Sequence, residues 1–73
     1  MDTAKLVTMA NQIAGFFAAQ RGEAEKATAK HIAENWDGRM RAGLAAHVAA
    51  GGEGLSPVAR AAADLLVPNR NEP

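Results

Sequence analysis

Four interruptions cut this chain into helical pieces too short to stand alone. Gly22, Asp37-Gly38, Gly51-Gly52 and Ser56-Pro57 each carry chemistry that ends or starts a helix. Isolated helices below roughly 12–15 residues are marginal in water, so the three shorter pieces must be held by packing on their neighbours. Leu6, Met9, Ile13, Phe16 and Phe17 fall at i, i+3, i+7, i+10 and i+11, which predicts a helix over about 3–20 with Asp2 or Thr3 as its cap. Ala24, Ala27, Thr28, His31, Ile32 and Trp36 repeat the spacing over about 23–36, with Glu23 and Glu25 at the positive helix end.

Asp37 then caps a helix over 38–50, with Gly38 in its first position and Met40, Leu44, His47 and Val48 on its buried side. Glycine at 51 and 52 supplies the left-handed backbone on which that helix ends. Leu55-Ser56-Pro57 opens a last helix over 57–67: Ser56 caps, Pro57 occupies the first turn, and Leu55 is placed as a hydrophobic staple. Val58, Ala62, Leu65 and Leu66 form its buried face, and Pro68 ends it. No alternating β-branched run competes. The expectation is one all-α domain of three to four short helices over residues 1–68, followed by a solvated tail at 69–73.

Such a domain has a thin core, because 18 of its 73 residues are alanine, which favours helix but buries little area. Small chains usually compensate with disulfides, a structural metal or a partner surface. Cysteine is absent, which removes disulfides and thiolate metal sites together and fits a reducing compartment. A partner is the remedy left. Eight basic residues balance eight acidic ones, so the long-range field that draws proteins to nucleic acid or anionic lipid is missing. No run of about 18 uncharged apolar residues occurs, and the expected location is the cytoplasm, away from any membrane.

No motif for catalysis or metal binding emerges. His31 and His47 lack the His-x-x-x-His or Glu-x-x-His spacing that sets two ligands on one helix face. Both sit on apolar stripes, so their ring nitrogens are expected to bond a backbone or partner carbonyl. Gly51-Gly52-Glu53-Gly54 resembles a phosphate loop only superficially, lacking the preceding strand and the following Lys-Ser/Thr. Thr3, Thr8, Thr28 and Ser56 have no base or orienting group beside them in the sequence.

What remains suits binding. Trp36 reads as core or core edge, with an interface anchor as its alternative. Arg39 and Arg41 lie in the first turn of the third helix, where a cation opposes the helix dipole, so they gain nothing from their own helix and read either as a solvated pair or as forks for carboxylates on a partner. Asn11 and Gln12 fall between core stripes and are free to bond outward. Phe16 and Phe17 together span about 100° of helix surface, more than a thin domain covers, so one of them faces a partner. The candidate partner-binding residues are therefore Asn11, Gln12, Phe16, Phe17, His31, Trp36, Arg39, Arg41 and His47, with no catalytic, cofactor-binding or metal residue among them.

Three segments in order, KLVTMANQIAGFF, HIAENWDGRMR and LAAHVAAGGEGLSPVARAA, resemble the delta subunit of the NAD-dependent, molybdenum-containing formate dehydrogenases of bacterial cytoplasm, over about Lys5 to Ala63. Met9 to Ile13, His31, Trp36, Arg39 to Arg41, His47 and Gly51-Gly52 carry the match. Gly38 departs from it where proline is common, and Asn35 where a more apolar residue is expected, so the turn into the third helix should be looser here.

The resemblance implies a non-catalytic accessory subunit that binds a catalytic alpha subunit and supports assembly or stability. It further implies that the molybdenum bis-guanine-dinucleotide cofactor, iron–sulfur clusters, FMN and NAD all reside in partner subunits, with no cofactor on this chain. The alternatives are a small helix-turn-helix nucleic-acid binder and a homo-oligomeric helical interaction module. Zero net charge opposes the first, and the isolated chain is free to self-associate in the second.

Overall fold

In a computed structural model, which describes residues 2–66, each interruption ends or begins a helix. Helix α1 runs Thr3–Ala18, α2 Ala24–Asn35, α3 Gly38–Ala49 and α4 Pro57–Leu66, with no strand among the described residues. The local cap chemistry is visible at three of the four starts. Asp2 accepts from the Ala4 N–H (3.1 Å), Asp37 from the Met40 N–H (2.8 Å) and the Ser56 hydroxyl from the Ala59 N–H (3.2 Å). The Asp37 cap stands directly before Gly38, at the turn expected to be looser for lack of proline. Glu23 caps α2 through its backbone only, its side chain pairing with Lys26 at 2.9 Å. That carboxylate raises the Lys26 ammonium above its ordinary pKa, by hydrogen bond first and by charge second.

Helix ends differ from expectation by one or two residues. The first helix stops at Ala18 instead of about 20, and Trp36 leaves α2 in an extended conformation that turns the chain toward α3. α3 ends as glycine allows: Gly51 and Gly52 take φ of +125° and +66°, and the Gly52 N–H reaches back to the His47 carbonyl at 2.8 Å. Val67, Pro68 and the tail at 69–73 lie outside the described residues.

The helices pack with α4 against all three others and α1 likewise, within extents of 34 × 29 × 22 Å. Alanine dominates the core. Ala10, Ala14, Ala29, Ala59, Ala62 and Ala63 are buried at the crossings, and Leu6, Ile32, Trp36, Leu44 and Val48 fill the space between them. Small side chains let helix backbones approach closely. A β-carbon on Gly43 of α3 would sit 2.8 Å from Leu6 Cδ1 of α1.

This packing corrects two expected faces. The buried stripe of α1 is Leu6, Ala10 and Ala14, with Met9 and Ile13 half-buried beside it and Phe16 62% exposed. On α4 the buried residues are Ala59, Ala62 and Ala63, whereas Leu65, expected inside, is 57% exposed. Periodicity weighted the large residues, but close crossings select the small ones and leave the large ones at the rim.

Candidate functional site

Between the C-terminal half of α1 and the middle of α2 lies a groove of about 250 Å³, lined by Gln12, Ile13, Phe16, Phe17 and His31. Its walls follow from the α1 spacing: residues 12, 13, 16 and 17 are neighbours at i, i+1, i+4 and i+5, on the flank that faces α2. Phe16 meets Phe17 edge-on with ring centroids 5.1 Å apart, and Phe17 meets the His31 ring at 6.1 Å. The three rings thus hold one another along the groove. Phe16 keeps most of its surface in solvent, and the His31 ring makes no hydrogen bond among the described residues.

Four of the nine candidates, Gln12, Phe16, Phe17 and His31, are therefore brought together. The other five are not. Asn11 turns inward, contrary to its expected outward bonding: its amide donates to the Gly54 carbonyl and its oxygen accepts from the Ser56 N–H, each at 2.9 Å. His47 bonds the Glu53 carbonyl through Nε2 at 2.7 Å, the backbone pairing expected of a histidine there. Asn11 and His47 thus hold the α3–α4 loop from two sides. Trp36 is 5% exposed and belongs to the core.

Arg41 requires a correction. Its Nη1 donates to the Ala33 carbonyl (3.2 Å) and to the Trp36 carbonyl, both at the C-terminal end of α2. The short link between α2 and α3 puts the first turn of α3 beside the negative end of α2, so this arginine gains from its neighbour what it loses on its own helix. Arg39 is exposed, with no hydrogen bond or ion pair among the described residues. Ile13 joins the groove although its spacing read as core alone. Its position three residues before Phe16 on the same flank was the available signal.

Among the described residues no three of His, Asp or Glu gather where a metal ion could be held, and no helix is long and apolar enough to cross a membrane. The chain is thus a small all-α domain with an apolar, open groove between α1 and α2. The model of the NADH-dependent formate dehydrogenase delta subunit family FdsD matches residues 5–63, and the chain belongs to that family. No curated protein and no solved structure gave a match.

Proposed function

We propose that this chain is a non-catalytic accessory subunit of a cytoplasmic NAD-dependent formate dehydrogenase, binding the catalytic alpha subunit through the α1–α2 groove and supporting assembly or stability of the complex. Phe16 carries the reading: a 62% exposed aromatic beside an apolar groove, in a chain of a delta-subunit family. Aromatic side chains seated in desolvated pockets are the usual energetic anchors of protein interfaces. Gln12 and His31 offer polar groups at the same groove, and Arg39 is assigned to the polar rim, pairing with a partner carboxylate.

In this reading the redox groups, namely molybdenum bis-guanine-dinucleotide, iron–sulfur clusters, FMN and NAD, belong to the partner subunits. For the iron–sulfur clusters the support is the composition, since a chain with no cysteine offers no cluster thiolate. Against the nucleic-acid alternative stands the balance of eight basic and eight acidic residues, and Nη1 of Arg41 already donates to carbonyls of α2.

The test is co-expression of the chain with the formate dehydrogenase subunits, followed by purification on the chain itself. Wild type is expected to retain the large molybdenum-containing subunit. Phe16→Lys should weaken that retention at least about tenfold, about 1.4 kcal/mol, with helical circular dichroism unchanged. Retention of DNA in place of the subunit, or equal retention by the variant, overturns the assignment of the groove.

A further inference from the structure

Asp37 is the one Asp or Asn of this chain that precedes a glycine; every other is followed by a residue with a side chain. The pair stands at the corner between α2 and α3, and both of its residues are exposed. Its chemistry follows from that order. A backbone nitrogen can attack the side-chain carboxyl carbon of the residue before it, and glycine leaves that approach uncrowded and its own backbone free to follow. The Gly38 nitrogen is not tied down by its helix either, because the first N–H of a helix has no carbonyl one turn back to bond. We infer that Asp37-Gly38 is a site of spontaneous covalent isomerisation, gated by opening of the α2–α3 corner.

The reaction balances with water alone. The Gly38 nitrogen bonds Cγ of Asp37 and loses its proton; the carboxylate oxygen that leaves takes up that proton and one from solvent and departs as water. Water then opens the five-membered imide at either carbonyl. Opening at Cγ restores aspartate. Opening at the main-chain carbonyl gives isoaspartate, in which the chain runs through Cγ and is longer by one methylene, while mass and net charge at neutral pH are unchanged.

The fold supplies the gate. Asp37 is held at ψ 173°, its Oδ1 accepts from the Met40 N–H at 2.8 Å, and its carbonyl accepts from the Arg41 N–H at 3.1 Å. Ring closure turns ψ away from that value and draws the carboxyl off the Met40 N–H, so the first turn of α3 opens before the new bond forms. The Arg41 side chain bridges the same corner through its bonds to the Ala33 and Trp36 carbonyls, and removing that bridge raises the open population. Once the chain runs through Cγ, neither the free carboxylate nor the carbonyl stands where the Met40 and Arg41 N–H groups need an acceptor. An isomerised chain therefore enters α3 without its cap. None of this rests on the function proposed above.

The test incubates the full chain at neutral pH, well below its melting temperature. Isoaspartate is read by methyl transfer from S-adenosylmethionine with an isoaspartyl methyltransferase, and placed by a protease that cuts before aspartate and stops cutting before residue 37 once it has isomerised. Wild type should accumulate the label at residue 37 ahead of every other Asp or Asn, and its isomerised fraction should melt below the fresh chain. Gly38→Pro removes the attacking N–H and suits the first helical position, so it should keep wild-type circular dichroism and take no label at residue 37. Gly38→Ala, whose β-carbon meets only Arg41 Nη2 at 4.0 Å, should fold as before and label at least about fivefold more slowly. Arg41→Ala should label at least about threefold faster. A wild-type chain that labels at residue 37 no faster than Gly38→Pro overturns the site. An Arg41→Ala chain that melts lower yet labels at the wild-type rate overturns the gate.

Discussion

Replacing Arg41 by alanine should destabilise the free chain by about 2 kcal/mol, against the sequence-based expectation of no loss. The guanidinium donates to the Ala33 and Trp36 carbonyls in a half-buried position, and a hydrogen bond from a charged group contributes roughly 1.5–3 kcal/mol. Its charge at the C-terminal end of α2 adds about 0.3–1 kcal/mol. The same charge costs a similar amount at the N-terminal end of α3, so the two dipole effects cancel and the hydrogen bonds decide the sign. In a chain this small, 2 kcal/mol corresponds to a fall in Tm of about 10 °C. The assay is thermal and urea unfolding followed by helical circular dichroism, with Arg39→Ala alongside. Arg39 has no bonded partner among the described residues, so its variant should stay within about 0.5 kcal/mol of wild type. Arg41→Lys should recover part of the loss, because an ammonium lacks the planar fork but keeps the charge. An Arg41→Ala chain as stable as Arg39→Ala would refute the capping role and return Arg41 to the candidate interface beside Arg39.

Thr28 is fully buried and its hydroxyl makes no hydrogen bond among the described residues, so Thr28→Val should raise stability by about 1 kcal/mol, read as a higher Tm. Two helix glycines should respond with opposite signs in the same assay. Gly15→Ala meets nothing within 4 Å and should gain about 0.5–1 kcal/mol of helix propensity. Gly43→Ala would bring its methyl to 2.8 Å from the buried Leu6 side chain, and should lose about 1 kcal/mol net as overpacking outweighs propensity. Asn11→Ala removes both bonds that tie α1 to the α3–α4 loop; unfolding should show a loss of about 1–2 kcal/mol, and amide exchange at Ser56 should quicken.

Which parts were legible in the sequence follows from the range of the interactions involved. Helix starts at Asp2, Asp37 and Ser56 depend on a side chain bonding a backbone group two or three residues away, and the glycine pair at 51–52 needs only its own φ. Those signals lie within a few residues, so the all-α class and the element order could be read directly. The bonds of Asn11 span 43 and 45 residues, and Arg41 is satisfied across a chain reversal, so their partners exist only once the helices are placed. The buried faces were likewise settled in three dimensions. Helices that cross closely bury alanine at the contact, and the larger Phe16 and Leu65 have no room there and remain in solvent. The sequence by itself determined an all-α chain of three to four short helices and the order in which they come. Only the tertiary structure decided that Trp36, Arg41, His47 and Asn11 serve the fold while Gln12, Phe16, Phe17 and His31 share one groove, because burial is a property of packed surfaces and not of residue types.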